Sequence, residues 1–129
     1  MSEVQGLKYY LDTYAMREYL RGNRSYQKYF SGHELITSLM NLIELYYLVL
    51  RDDGESAADK SYLAFKQYEV SITDHDIRNA MKFRLGSKAR KEDVSYADAI
   101  GYIIAKRYGV TYLTGDDAFE GFPNVLFIK

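Results

Sequence analysis

SYADAIGYIIAKRYGVTYLTGDDAF, residues 95–119, is the stretch on which the architecture turns. It reads as a helix, a tight turn at Tyr108-Gly109, a short apolar strand and an acidic loop. Two features in it are not explained by packing. Asp98 sits one turn into an otherwise apolar helix, and Thr114-Gly115-Asp116-Asp117 follows the strand directly. Separated carboxylates at a helix start and a strand end suggest a metal, provided the rest of the chain supplies partners.

Working outward, Leu7-Lys8-Tyr9-Tyr10-Leu11 reads as a buried strand that ends at Asp12-Thr13. A helix follows with Tyr14, Met16, Tyr19 and Leu20 on one face, stopped by Gly22-Asn23. Ser25 is expected to cap a second short helix reaching Phe30. Glu34-Leu35-Ile36-Thr37 reads as a strand, and Ser38 as the cap of a helix running to about Leu50. That helix is apolar nearly all round, which predicts burial. Its exceptions, Ser38, Asn41 and Glu44, are spaced three apart on one side. Residues 51–56 read as a polar loop, 57–66 as a helix and 68–72 as a strand. Thr73-x-x-Asp76 is a capping box opening a helix that stops at Gly86. A last strand covers 125–127. Strands alternating with helices predict an α/β fold with a parallel sheet covered on both faces. Ligands in such sheets bind at the carboxyl ends of the strands, where Asp12 and Asp116 fall.

The bulk numbers agree with one domain over residues 1–129. Apolar residues are 47% and charged ones 27%, with a single proline, so no Pro-rich linker divides the chain. No run approaches the roughly 20 apolar residues of a membrane span. The first residues lack the pattern of a signal peptide, and a cytoplasmic protein is expected. Zero cysteines exclude disulfides and thiolate metal sites, and two isolated histidines are too few for a histidine-based one. A net charge of −1 gives no bulk signal for nucleic acid.

Asp12, Glu44, Asp98 and Asp116 therefore stand out as a set. Converging anions in a cleft repel one another and call for a positive charge between them. Oxygen ligands without His or Cys favour magnesium or manganese, the ions that act on phosphate substrates. Each acid also has a structural role open to it. Asp12 can be an N-cap, Ser95-x-x-Asp98 is a capping box, and Asp116 and Asp117 can be turn residues. Glu44 fits least well, because a carboxylate amid so apolar a helix needs a partner.

Four pieces in this order resemble a PIN-domain ribonuclease of the VapC-like toxin type. They are Leu11-Asp12-Thr13, Leu42-Ile43-Glu44-Leu45, Ser95-Tyr96-Ala97-Asp98-Ala99, and Leu113-Thr114-Gly115-Asp116-Asp117-Ala118-Phe119. The resemblance spans essentially the whole chain. It implies a three-layer α/β/α fold and a Mg2+- or Mn2+-dependent endoribonuclease. It assigns catalytic and metal-site roles to Asp12, Glu44, Asp98 and Asp116. Thr114 and Thr13 become accessory groups beside Asp116 and Asp12. Two departures are Tyr14, where many members carry a small polar residue, and Asp117, an extra acid beside Asp116 that leaves open which one points inward, Asp116 being favoured.

The same resemblance implies an RNA substrate, a cognate antitoxin protein and a homodimer. The basic segment Arg78, Lys82, Arg84, Lys88, Arg90 and Lys91 contains no acid and is a candidate to guide RNA, or else a solvated helix face. Tyr14, Tyr19, Tyr26, Tyr29 and Phe30 are candidates for an antitoxin groove, or else a cover for the sheet. Competing functions are an RNA-processing PIN nuclease that is no toxin, a non-catalytic PIN-like scaffold and a receiver-like signalling domain.

Overall fold

The computed structural model describes residues 8–89 and 94–129. Its elements are β1 (Lys8–Leu11), α1 (Thr13–Leu20), α2 (Arg24–Gln27), β2 (Glu34–Ile36), α3 (Leu39–Asp53), α4 (Glu55–Lys66), α5 (Asp74–Ala89), α6 (Tyr96–Tyr108), β3 (Thr111–Thr114) and β4 (Val125–Phe127). The strands form one parallel sheet in the order β2-β1-β3-β4.

Strand alternation builds the layers. Tyr10 pairs with Tyr112 and Leu11 with Leu113 across β1 and β3. With a side-chain period of two, the tyrosines go to one face and the leucines to the other. Tyr10 and Tyr112 stack at 5.4 Å and pack with Ala80 of α5 and Ala99, Tyr102 and Ile104 of α6. Leu11 and Leu113 pack with Met16 of α1, Tyr26 of α2, Leu42, Leu45 and Val49 of α3, and Phe65 of α4. The result is the expected three-layer α/β/α arrangement, with a core on each side of the sheet.

Several boundaries differ from those read in the sequence. Residues 68–72 are not a strand. They make one bridge, Thr37 to Glu69, held by Thr37 N–H to Tyr68 O and Val70 N–H to Thr37 O. The segment meets the chain only where β2 has already ended, so no ladder grows from it. Residues 51–56 are not a loop. Helix α3 runs on to Asp53 and α4 begins at Glu55, the break being Gly54 at φ 93, a conformation suited to glycine. Helix α5 likewise passes through Gly86 to Ala89. Asn23, rather than Ser25, caps α2, its side chain accepting from Ser25 N–H. Ser38 occupies the N-cap position of α3 without capping it, since its hydroxyl is hydrogen-bonded to that of Tyr10. Finally, α3 is not buried all round, for Leu39, Ile43, Tyr47 and Leu50 are exposed.

Candidate metal centre

The site forms where β1 and β3 end side by side. Asp12 follows β1 and caps α1 in extended conformation, one carboxylate oxygen accepting from Ala15 N–H at 2.8 Å. Its other oxygen accepts from the hydroxyl of Thr114, the last residue of β3. The Thr114 hydroxyl in turn accepts from Asp116 N–H at 3.0 Å. One threonine thus ties the first acid to the loop that carries the fourth. Asp12 is fully buried and both its oxygens are bonded, so its direction is fixed.

Glu44 is held through a longer chain. Thr13 Oγ1 donates to Glu44 Oε1 at 2.7 Å and accepts from Asn41 Nδ2 at 3.1 Å. The Tyr10 hydroxyl donates to Asn41 Oδ1 at 2.5 Å. The residues spaced three apart on α3 are the polar seam of that helix, bonded to β1 and α1. Glu44 itself is half-buried. Its presence in an apolar helix is explained by Thr13 and the cleft, not by a basic partner.

Asp98 lies in the first turn of α6. Its N–H is capped by Ser95 Oγ at 3.1 Å, while its carboxylate accepts from the Tyr112 hydroxyl at 3.3 Å. Cap and site residue are therefore compatible, because the backbone serves one purpose and the side chain the other. Helix α6 approaches the sheet closely at Gly101, where a Cβ would stand 2.7 Å from the Tyr10 ring. Asp116 is half-buried and caps the 3-10 turn Asp117–Phe119 through Ala118 N–H. Asp117 is exposed and pairs with Lys129 at 2.7 Å. Gly115, just before Asp116, must be glycine, since a Cβ would lie 2.2 Å from the Tyr14 ring and 2.4 Å from Ile128 O.

Asp12, Glu44, Asp98 and Asp116 line one cleft of about 790 Å3, together with Thr13 and Asp117. Burial raises the Asp98 carboxyl well above its ordinary range, and the Asp12 charge and a hydrogen bond with Asp116 push it the same way. Burial also raises Asp12, against the hydrogen bonds from Thr114 and Ala15, and the Asp116 and Glu44 charges add to the rise. Among the described residues, no Lys or Arg is ion-paired with any of the four. Nor, among the described residues, do three of them already stand as a closed metal cage. The donor set nevertheless fits a hard divalent ion. It is all oxygen, oriented by Thr13, Thr114 and Tyr112, and its repulsion is relieved by positive charge.

The described part of the basic segment stands away from the cleft. Helix α5 packs along α6, and neither Arg78 nor Lys82 lines the cleft. Arg84 is spent on Val94 O and the Tyr96 ring. Arg90 and Lys91 lie outside the described residues, as does the side chain of Lys88. Among the described residues, the cations on the cleft wall are Arg17, Arg21, Arg51 and Lys129, scattered in sequence and so invisible as a charge run. Of the aromatic group, Tyr26 is fully buried, Tyr19 stacks on Phe30 at 4.1 Å, and Tyr14, Tyr19, Tyr29 and Phe30 are partly buried against the same core, with Tyr14 also on the cleft wall.

Fold and cleft together define an α/β domain with an acidic cleft at the carboxyl edge of a parallel sheet. The chain belongs to the PIN domain family, whose model matches residues 9–124. The fold is shared with solved structures of low sequence identity. VapC20 of Mycobacterium tuberculosis, a Sarcin-Ricin loop cleaving toxin, is 17% identical with a TM-score of 0.74, over 93% of this chain and 96% of that one. A Klebsiella pneumoniae toxin-antitoxin complex is 18% identical with a TM-score of 0.71, over 91% and 94%. VapBC2 from Rickettsia felis, bound to a DNA fragment from their promoter, is 15% identical with a TM-score of 0.74, over 95% and 98%. Comparison with curated proteins gives no match.

Proposed function

We propose that this chain is a Mg2+- or Mn2+-dependent endoribonuclease, the toxin of a toxin–antitoxin pair. The observation that carries the reading is the convergence of Asp12, Glu44, Asp98 and Asp116 on one cleft, with no ion-paired Lys or Arg among the described residues. A divalent ion held by these carboxylates would stabilise charge at the phosphoryl group and make a water easier to deprotonate. The protein contributes direction. Thr114 and Ala15 N–H aim Asp12, Thr13 aims Glu44, and Tyr112 holds Asp98 from below. The half-buried Asp116 faces the cleft on a loop pinned by Thr114 and Gly115. The exposed Asp117 pairs with Lys129, which supports Asp116 as the inward acid.

Among the described residues no helix is long and apolar enough to cross a membrane, in keeping with a cytoplasmic RNA substrate. The solved toxin–antitoxin complexes support a cognate antitoxin as partner, and the family resemblance supports a homodimer. Asp98→Asn is expected to abolish Mn2+-dependent cleavage of RNA while leaving the far-ultraviolet circular dichroism unchanged. Undiminished cleavage by a folded Asp98→Asn protein would refute the site assignment.

A further inference from the structure

Helix α3 presents more to the cleft than Glu44. Ile43, Tyr47, Leu48 and Arg51 lie on the same wall. Tyr47 is 61% exposed, so its ring contributes little to the core. One turn further on, Asp52 holds two arginines. Arg17 of α1 reaches it at 2.8 Å, and Arg51 grips it at 2.7 and 3.1 Å. Both guanidiniums line the cleft and the carboxylate that fixes them does not. The group carries a net positive charge, its side chains are already ordered, and each guanidinium keeps N–H donors beyond those given to Asp52. The Arg17 side chain is only 10% exposed, a costly position for a cation that serves solvation alone. From Glu44 to Arg51 the helix advances roughly 10 Å at about 1.5 Å per residue, a short step along a nucleic-acid strand.

Resting on the nuclease reading above, we propose that Tyr47, Arg51 and Arg17 form a subsite for unpaired RNA beside the carboxylates. The Tyr47 ring stacks on a base and the guanidiniums take a phosphate of the same strand. Stacking on a side chain requires a base free of a duplex, and it accepts any base. The guanidiniums also offset the repulsion between the acidic floor and the phosphate backbone. A strand held at this point is aligned past Glu44 without contact with the metal ligands.

The test measures binding with EDTA present, by fluorescence anisotropy of short fluorescein-labelled oligo(U), oligo(A) and duplex RNA. Tyr47 and Arg51 are exposed enough to be replaced without unfolding the chain, which near-ultraviolet circular dichroism checks. Tyr47→Leu is expected to weaken both single strands at least about fivefold with an unchanged salt slope, whereas Tyr47→Phe stays within about twofold. Arg51→Gln is expected to weaken them about fivefold and to reduce the magnitude of the log Kd against log salt slope by about 0.7. The duplex should bind more weakly than either strand. Wild-type affinity in both Tyr47→Leu and Arg51→Gln overturns the subsite, even if the protein cleaves RNA. Wild-type RNA affinity with altered self-association in sedimentation overturns it in favour of a protein contact. Single-strand binding that behaves as expected in a protein that never cleaves overturns the nuclease reading and leaves the subsite standing. No RNA binding by the wild type overturns both.

Discussion

Asn41 shows how much of the site is carried by residues that hold no ligand themselves. It bridges Tyr10 on the sheet to Thr13, and Thr13 aims Glu44. Asn41 is fully buried, so removing its amide strands the Tyr10 hydroxyl with only Ser38 and removes the donor that orients Thr13. Asn41→Ala is expected to cost about 2 kcal/mol in urea unfolding, the price of leaving buried polar groups under-bonded. It should also weaken Mn2+ binding about tenfold by calorimetry, because Glu44 loses its support. A change in stability with unaltered Mn2+ affinity would separate Asn41 from the site. The four acids were legible in the sequence as a set: Asp12, Asp98 and Asp116 each sit at a helix start or turn that can use a carboxylate, and only Glu44 lies where its element has little use for one. Asn41 was visible only as a neighbour of Glu44. Its partner Tyr10 lies 31 positions away, and no local pattern encodes such a contact.

Helix α6 places Asp98, and its height above the sheet is set by Gly101. A methyl group there meets the Tyr10 ring at 2.7 Å and its hydroxyl at 2.8 Å, atoms locked by Ser38 and Asn41. Gly101→Ala is therefore expected to lift the helix and destabilise the protein by about 2 kcal/mol, although alanine favours a helix by about 1 kcal/mol. Gly86→Ala in α5, with nothing within 4 Å of the new methyl group, should stabilise by roughly 0.5–1 kcal/mol. Thermal unfolding of the two variants should move in opposite directions, and a stabilised Gly101→Ala would show that α6 can rise freely. At this scale the sequence revealed the four strands of the sheet, the reciprocal capping box of Thr73 and Asp76, and the Ser95 cap on Asp98 N–H, since these are local chemistry. It did not reveal that α3 keeps Ile43 and Tyr47 in solvent. An apolar composition predicts burial, but the sheet and α4 cover only part of the helix and the cleft opens along the rest. Residues 68–72 misled for a similar reason, as strand-like alternation does not supply a neighbouring strand.

Across the whole molecule, carboxyl groups whose pKa values are moved in opposite directions set the pH profile of stability. Burial, with neighbouring acids, raises Asp12 to about 7 and Asp98 to about 9. Between the ordinary carboxylate range and those values the native state binds more protons than the unfolded chain. Without metal, stability conferred by these groups in acid is therefore lost as pH rises toward about 9. Asp52 and Asp76 act in the other direction. Hydrogen bonds from Arg51 and Arg17 hold Asp52 low, and those from Arg107 and Thr73 outweigh the burial of Asp76. Their contribution is present above the ordinary carboxylate range and is lost as pH falls through their lowered values. The apo protein should accordingly be most stable in mild acid. In EDTA its Tm is expected to fall from about pH 5 to about pH 9, as the unfolding free energy drops by at most roughly 1.4 kcal/mol per pH unit for each carboxyl that stays protonated in the native state. On the proposed metal-site reading, manganese is expected to reverse the trend, since it would bind the ionised carboxylates and its stabilisation would grow as protons leave. Asp98→Asn removes the larger of the two titrations. It should raise the Tm of the apo protein at pH about 8 and flatten the EDTA profile, while losing most of the Tm gain from Mn2+. Scanning calorimetry of both proteins with EDTA and with saturating MnCl2 checks this. An apo Tm that rises steadily through the same range would mean that the cleft already compensates its own charge and does not require an ion.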